Sequence, residues 1–353
     1  MKLFQWHFGL YLIPLVFLLP IGNAQAELSV TCQAGMNTPP GSTGIVNLGT
    51  LTNANVNNAN VTGTLNYSCT NSGETAGFVS VCLATDGGQY DNTAVGGRYM
   101  ERPGSWFESN ASRRLNFTMT LPGGTLWSTR GRNGSEYNSG SLAIGAQSTV
   151  TGSVPINISM KTGNNRATQG AYINDFGNGN HTALTFKTSA ISPAPTDCTA
   201  SAGDQDTVRF PFKVQAAVLP SCTITATSNV NLGPRSASET NITGSNSSAI
   251  TVNCTNGGSY YIGLKPSNND QNGEGVMSGL TTGNTDKVPY QLRSTSGIAG
   301  KVWGNTATST AVGNGVADFG TGSNKTHEVF VTVPNADFKP DNYSDTVTIH
   351  VNY

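Results

Sequence analysis

The sequence predicts an all-β protein of two immunoglobulin-like antiparallel β-sandwich domains, the C-terminal one lacking its last strand. Three observations carry this. First, a block of sequence recurs. Val46-Asn-Leu-Gly49 is followed by Cys69-Thr-Asn71, and Val230-Asn-Leu-Gly233 by Cys254-Thr-Asn256, with Gly-to-Cys distances of 20 and 21 residues. Met100 and Trp127 are matched by Met277 and Trp303, spaced by 27 and 26 residues. Second, apolar residues alternate instead of recurring at helical spacing, as in Val329, Val331, Val333 and again in Tyr343, Val347, Ile349, Val351, Tyr353. Third, an alternating segment (Val208, Phe210, Phe212, Val214, Ala216, Val218) lies between the copies, whereas the sequence stops at Tyr353 after the second. One copy thus has a spare strand beside it and the other lacks one. A sandwich short of a strand invites one from another molecule.

Taken in order, the N-terminus reads as a secretory signal over residues 1–26. Lys2 supplies the charge, Leu10 to Leu19 the apolar core, and Ala24-Gln-Ala26 the small-residue cleavage pattern. The apolar run is half the roughly 20 residues needed to span a bilayer. The chain as a whole is 11% charged with 42 glycines and a net charge of −1. That composition suits short strands joined by Gly/Asn turns, and without a basic cluster it excludes an electrostatic nucleic-acid partner. Six cysteines in an exported chain imply disulfides. The repeat pairs Cys32 with Cys69 and Cys222 with Cys254, leaving Cys82 with Cys198. Metal binding is disfavoured because no Cys-x-x-Cys occurs and histidine is scarce. The expected layout is a 27–206 domain, a 207–221 linker and strand, and a 222–353 domain.

The stretch Phe210 to Tyr353 resembles the spore coat protein U domain, the subunit module of archaic chaperone–usher pili. The likeness rests on Val218-Leu-Pro-Ser-Cys222-Thr-Ile224, the Cys222/Cys254 pair, Val288-Pro-Tyr-Gln-Leu292 ahead of Trp303-Gly304, and Tyr343-Ser-Asp-Thr-Val-Thr-Ile349. The first half looks like a longer, diverged copy, and the two-domain layout is similar to the tip adhesins of this pilus class. The resemblance implies that a subunit normally carries a donor strand before its first cysteine, which completes a neighbour. Here Glu27 to Thr31 would be too short for that. Val208 to Val218 would instead complete the first domain in cis by pairing with its last strand. Burying five large side chains of that strand is worth roughly 7–15 kcal/mol before entropy. The partners implied are a periplasmic pilus chaperone, an outer-membrane usher, an adjacent pilin subunit, and an apolar surface or host receptor. The expected location is the pilus tip, reached through the periplasm.

No catalytic constellation stands out, and no cofactor is expected. Gly-x-Ser-x-Gly is absent, and Asp270-Gln-Asn-Gly-Glu-Gly275 lacks the ligand spacing of a calcium loop. His350 has the parity opposite to Ile349 and Val351, which directs it to solvent. What remains is apolar character in polar stretches of the first copy. Trp106 and Phe107 have no counterpart in the second. Met36, Pro39 and Pro40 lie in an interval of 17 residues from Cys to Gly, against 11 in the second. Leu142, Ala143 and Ile144 stand between Gly140 and Gly145. These eight are the candidate surface-binding residues, whereas Trp127 and Trp303, shared by both copies, read as structure. The expected function is a pilus-tip adhesin that mediates attachment and biofilm formation. The alternative is a secreted lectin-like carbohydrate-binding module, and a secreted hydrolase is a weaker third.

Overall fold

The computed structural model describes residues 27–91, 97–129, 135–191, 198 and 207–353. The signal-like segment 1–26 lies outside the described residues, as does most of 192–206.

The fold is built around the alternation visible in the sequence. The first strands are β1 (Val30–Met36), β2 (Gly44–Leu51), β3 (Asn60–Asn71), β4 (Gly77–Thr85) and β5 (Tyr99–Glu101). A single-turn helix, α1 (Asn110–Arg113), has Ser109 as its cap and leads into β6 (Arg114–Thr120). Then come β7 (Tyr137–Ile144), β8 (Ser148–Met160), β9 (Gly170–Asp175) and β10 (Thr182–Ser189). The spare segment forms β11 (Phe212–Val218), in which every second residue is buried. The second half contains β12 (Cys222–Thr227), β13 (Thr240–Cys254), β14 (Ser259–Pro266), β15 (Glu274–Gly279) and β16 (Lys287–Arg293). It ends with β17 (Val316–Phe319), β18 (Asn324–Asn335), β19 (Tyr343–Ser344) and β20 (Val347–Asn352).

Four sheets result. An eight-stranded sheet in the order β1-β3-β8-β6-β5-β9-β11-β2 shares one core with the three strands β10-β4-β7. A six-stranded sheet, β12-β13-β18-β16-β15-β19, shares a second core with β17-β14-β20. Matched strand by strand, the two sandwiches have the same order until β19. Beyond that point the first continues with β11 and β2, and the second has no further strand among the described residues.

Repeated motifs have repeated structural causes. Trp127 and Trp303 are buried, and their indole N–H groups donate to Leu83 O and Ile262 O, both at 2.8 Å. In each Val-Asn-Leu-Gly the Asn side chain accepts the Gly N–H two residues on, at 2.8 Å for Asn47 and 2.9 Å for Asn231. Gly49 and Gly233 both have positive φ, +74° and +69°, which an L side chain rarely tolerates. Cys32–Cys69 and Cys222–Cys254 link directly opposed residues of antiparallel pairs, with Cα atoms 4.1 Å apart in each. Cys82–Cys198 ties β4 to the connection ahead of β11.

The pairing of β11 departs from expectation. It does not extend the last strand, β10, which is met by the preceding residues, where Val208 bridges Leu184 and Phe210 N–H donates to Thr182 Oγ1 at 3.0 Å. Instead it lies between β9, antiparallel, and β2, parallel. β10 is the edge of the opposite sheet; β11 instead joins the eight-stranded sheet, where every second residue enters the core and Phe212 stacks on Phe176 and Trp127.

Only Leu219, Pro220 and Ser221 separate β11 from β12, and a polar junction follows. Asn53 N–H donates to Ser221 Oγ at 2.9 Å, Asn165 Nδ2 to Gly322 O at 2.7 Å and Asn256 Nδ2 to Arg166 O at 2.6 Å. Gly322 has φ +69°, and a Cβ there would lie 1.7 Å from Asn165 O, so no larger residue fits.

Candidate functional site

Two features emerge: an open groove with an apolar floor in the second sandwich and a set of exposed apolar residues on the first. The groove, about 1220 Å³, runs between Val230–Pro234 on one side and Tyr343–Ile349 on the other. Its floor is apolar, with Ile250, Leu264, Val288, Leu292, Val329 and Val331 all buried beneath it.

The same place in the first sandwich is filled. Phe210, just ahead of β11, and Phe212, its first residue, are fully buried, with Phe212 stacked 4.5 Å from Phe176 and Trp127 stacked on Phe210 and Phe212 at 6.2 and 6.3 Å. Matched residues differ in burial. Val46 and Leu184 are fully buried, whereas their counterparts Val230 and Val351 are half-buried. Strand pairing fixes these counterparts, since Leu184 opposes Leu83 and Val351 opposes Ile262, the two carbonyls that the tryptophans address.

A second shared device sets the groove wall. Tyr172 donates its hydroxyl to Thr168 O at 2.7 Å, and Tyr343 donates to Lys339 O at 2.8 Å, each four residues upstream. This is the tyrosine-corner arrangement of antiparallel sandwiches. Two residues on, Asn174 and Asp345 take the same place. Asn174 is fully buried and satisfied within its own sandwich. It donates to Gly87 O and Tyr99 O, both at 2.8 Å, and accepts Gln89 N–H at 3.0 Å. Asp345 is half-buried in the groove wall and accepts the Tyr290 hydroxyl at 2.7 Å. Burial pushes the Tyr290 phenol far above its ordinary range, and the Asp345 carboxylate adds to the shift.

Among the surface candidates, Trp106 is 74% exposed and Phe107 fully so. They sit at the end of the first sandwich that faces the second. Glu108 accepts Thr168 Oγ1 at 3.3 Å, and Thr168 bridges to Asn256 across the junction. Pro39 is exposed and Pro40 half-buried on the turn between β1 and β2, held beside the middle of β3, where Asn66 Nδ2 donates to Thr38 O at 3.0 Å. Two expectations of exposure are corrected. Met36 is fully buried because β1 continues through it, opposite Leu65, and the extra interval is used by residues 37–43. Ile144 is buried because residues 137–144 form β7 rather than a loop. Gly140, at φ +66°, makes an irregularity in that strand where the register shifts between Ser80 and Cys82. Leu142 is half-buried on the same strand, and Ala143 is exposed.

The far end of the first sandwich is marked by Asn71, whose amide donates to Thr75 O and Gly145 O and whose oxygen accepts Ser29 N–H. β3 spans 12 residues from the junction end to Asn71, about 36 Å at strand rise. Ala143 lies here, and so does Ile191, 78% exposed just past Ser189, which opposes Phe78. Sequence reasoning missed Ile191, a lone apolar residue without periodicity. It also missed the matched tyrosines, visible as Tyr172-Ile-Asn-Asp and Tyr343-Ser-Asp.

No group of three or more His, Cys, Asp or Glu that could hold a metal occurs among the described residues. Asp270 accepts Asn272 and Glu274 N–H groups and so organises a turn. His181 Nδ1 lies 3.0 Å from Asp86, whose Oδ1 also accepts Gly88 N–H.

These repeated features meet a family signature in the second half. Residues 208–350 match the Spore Coat Protein U domain. The domain begins at Val208, so in sequence it includes β11, which in space lies in the first sandwich. No curated protein matches the chain. Solved structures to which it is similar include the CsuC–CsuE chaperone–tip adhesion subunit pre-assembly complex from Acinetobacter baumannii. That match has 14% identity and a TM-score of 0.49, covering 92% of this chain and 100% of that one. Another is the CupB6 tip adhesin from Pseudomonas aeruginosa, at 9% identity and a TM-score of 0.37, covering 92% and 94%. A third is the CooA pilin subunit from enterotoxigenic Escherichia coli, at 14% identity and a TM-score of 0.27, covering 53% and 98%.

Proposed function

We propose that this chain is the adhesive end subunit of a surface fibre assembled by strand exchange, acting in attachment and biofilm formation. In this reading residues 27–206 form the adhesive unit and residues 207–221 supply its last strand in cis. Residues 222–353 form an immunoglobulin-like unit that lacks its last strand and accepts one from an adjacent subunit. The observation that carries it is the matched strand order of the two sandwiches, with β11 occupying in the first the place that is an open groove in the second.

An unfilled apolar groove beside a free strand edge is an aggregation hazard. A periplasmic chaperone would therefore cover it before the fibre partner does, and an outer-membrane usher would mediate the exchange. The contact surface is assigned to the far end of the first sandwich, with Ala143 and Ile191 exposed and Leu142 beside them. Trp106 and Phe107 lie at the opposite end of that sandwich. Each exposed apolar side chain that loses water against an apolar surface contributes about 1.5–3 kcal/mol at most, and many fibres multiply the effect.

The test compares cells bearing the wild-type chain with cells bearing Ala143→Ser and Ile191→Ser together. Attachment to a hydrophobic surface should fall while fibre number in electron micrographs stays constant. Undiminished attachment with normal fibres would remove the far end as the contact surface.

A further inference from the structure

The groove wall differs from the filled site at one position, and the difference bears on which strand fits. In the first sandwich Val214 of β11 lies opposite Asn174 on one side and Val46 on the other. Asn174 is neutral and its hydrogen bonds are made inside the sandwich, so an apolar neighbour costs nothing. The corresponding place in the second sandwich lies between Val230 and Asp345. Two registers agree on this match: Met100–Leu115 with Met277–Val288, and the two corner tyrosines. Asp345 Oδ2 accepts Tyr290, and Oδ1 accepts Thr346 N–H at 2.8 Å. Phe117 is the counterpart of Tyr290, so no such polar pair exists in the first sandwich. A carboxylate has about four acceptor sites. A strand covering the groove removes Asp345 from water, and a buried charge without further donors is costly.

We infer that the strand recognised by the second sandwich carries a hydrogen-bond donor side chain opposite Asp345, at the place where β11 has Val214. This rests on the reading that the groove accepts a strand, and it adds the chemistry by which one strand is chosen over another. An all-apolar strand of the β11 type leaves the carboxylate under-bonded and is rejected, so the groove discriminates against this chain's own strand from a second copy. The partner is an extended segment of another subunit, apolar at alternate positions except for this polar one.

The experiment adds fluorescently labelled peptides of residues 208–219 to the purified full-length chain and measures anisotropy. One peptide has the native sequence and the other carries Val214→Thr, a change of one methyl to a hydroxyl. The threonine peptide should bind tighter by about tenfold or more, the usual gain from a hydrogen bond to a charged group. On a chain carrying Asp345→Val and Tyr290→Phe the order should reverse. Equal affinity of the two peptides for the wild-type chain, or tighter binding of the native one, would overturn the inference while leaving the acceptor groove in place. Binding of neither peptide would overturn both.

Discussion

Arg98 illustrates how single residues hold the first sandwich together. It is fully buried, and its guanidinium donates to the carbonyls of Thr85, Asp86 and Trp127 at 2.6–3.0 Å. Burial lowers its pKa to about 10, with Asp86 opposing the shift, so it stays charged at neutral pH. Replacing Arg98 with Met leaves three buried carbonyls without that donor and should cost about 3 kcal/mol or more in chemical denaturation. The corner tyrosines give a graded comparison. Tyr172→Phe removes the donor to Thr168 O and Ser112 O from a fully buried site and should cost about 1–2 kcal/mol. Tyr343→Phe should cost less, because its half-buried hydroxyl can be replaced by water. A larger loss at Tyr343 would show that the groove is closed in solution.

Strands carry the next level of organisation. β11 supplies the centre of the first core, and Phe212→Ala should destabilise that sandwich by about 3–5 kcal/mol while sparing the second. Two unfolding transitions resolved by calorimetry would separate them. On β18, His327 accepts or donates at 2.9 Å with the Tyr260 hydroxyl, and Asp318 and Lys325 lie close by. Burial holds the His327 pKa below its ordinary 6.5, against the pull of Asp318. The unfolded chain therefore binds a proton that the folded sandwich refuses just below pH 6.5. Stability from this site is full above that pH and falls as the pH drops through it. Asp318 adds to the trend at lower pH: burial would raise it, but Lys325, the Phe319 N–H and His327 hold it below 3.8. The thermal midpoint of the second sandwich should drop between pH 7 and 5, and His327→Gln should flatten that slope.

Across the whole molecule, one disulfide and one glycine decide how the parts are held. Cys82–Cys198 closes a loop of 116 residues and anchors the connection that feeds β11 into place. Changing both cysteines to Ser should cost about 2–5 kcal/mol of first-sandwich stability. Among the described residues the second sandwich has no counterpart of this bond. At the junction, Gly322→Ala would push into Asn165 O from a backbone already at positive φ, a strain of about 1–3 kcal/mol. The two sandwiches should then lose their fixed orientation, read as an expanded small-angle scattering profile, with each retaining its own fold.

The sequence by itself determined the all-β class, the two copies, the structural role of the paired tryptophans and the pairing of the repeated cysteines. These follow from local rules: alternation sets which face is buried, and recurrence at matched spacing sets which residues correspond. Tertiary structure alone decided where the side chains between those landmarks point. Met36 and Ile144 sit in stretches that read as loops, yet each is core, because strand ends are set by the partner strand and not by the residue's own neighbours. Trp106 and Phe107 were legible as unmatched aromatics, but their place at the junction end depends on Thr168 and Asn256, far away in sequence. The same holds for β11. Its alternation was plain, but β10 and β9 are both strand edges it could have met, and its place between β9 and β2 is set by the core into which Phe212 packs, against Phe176 and Trp127, which no local pattern encodes.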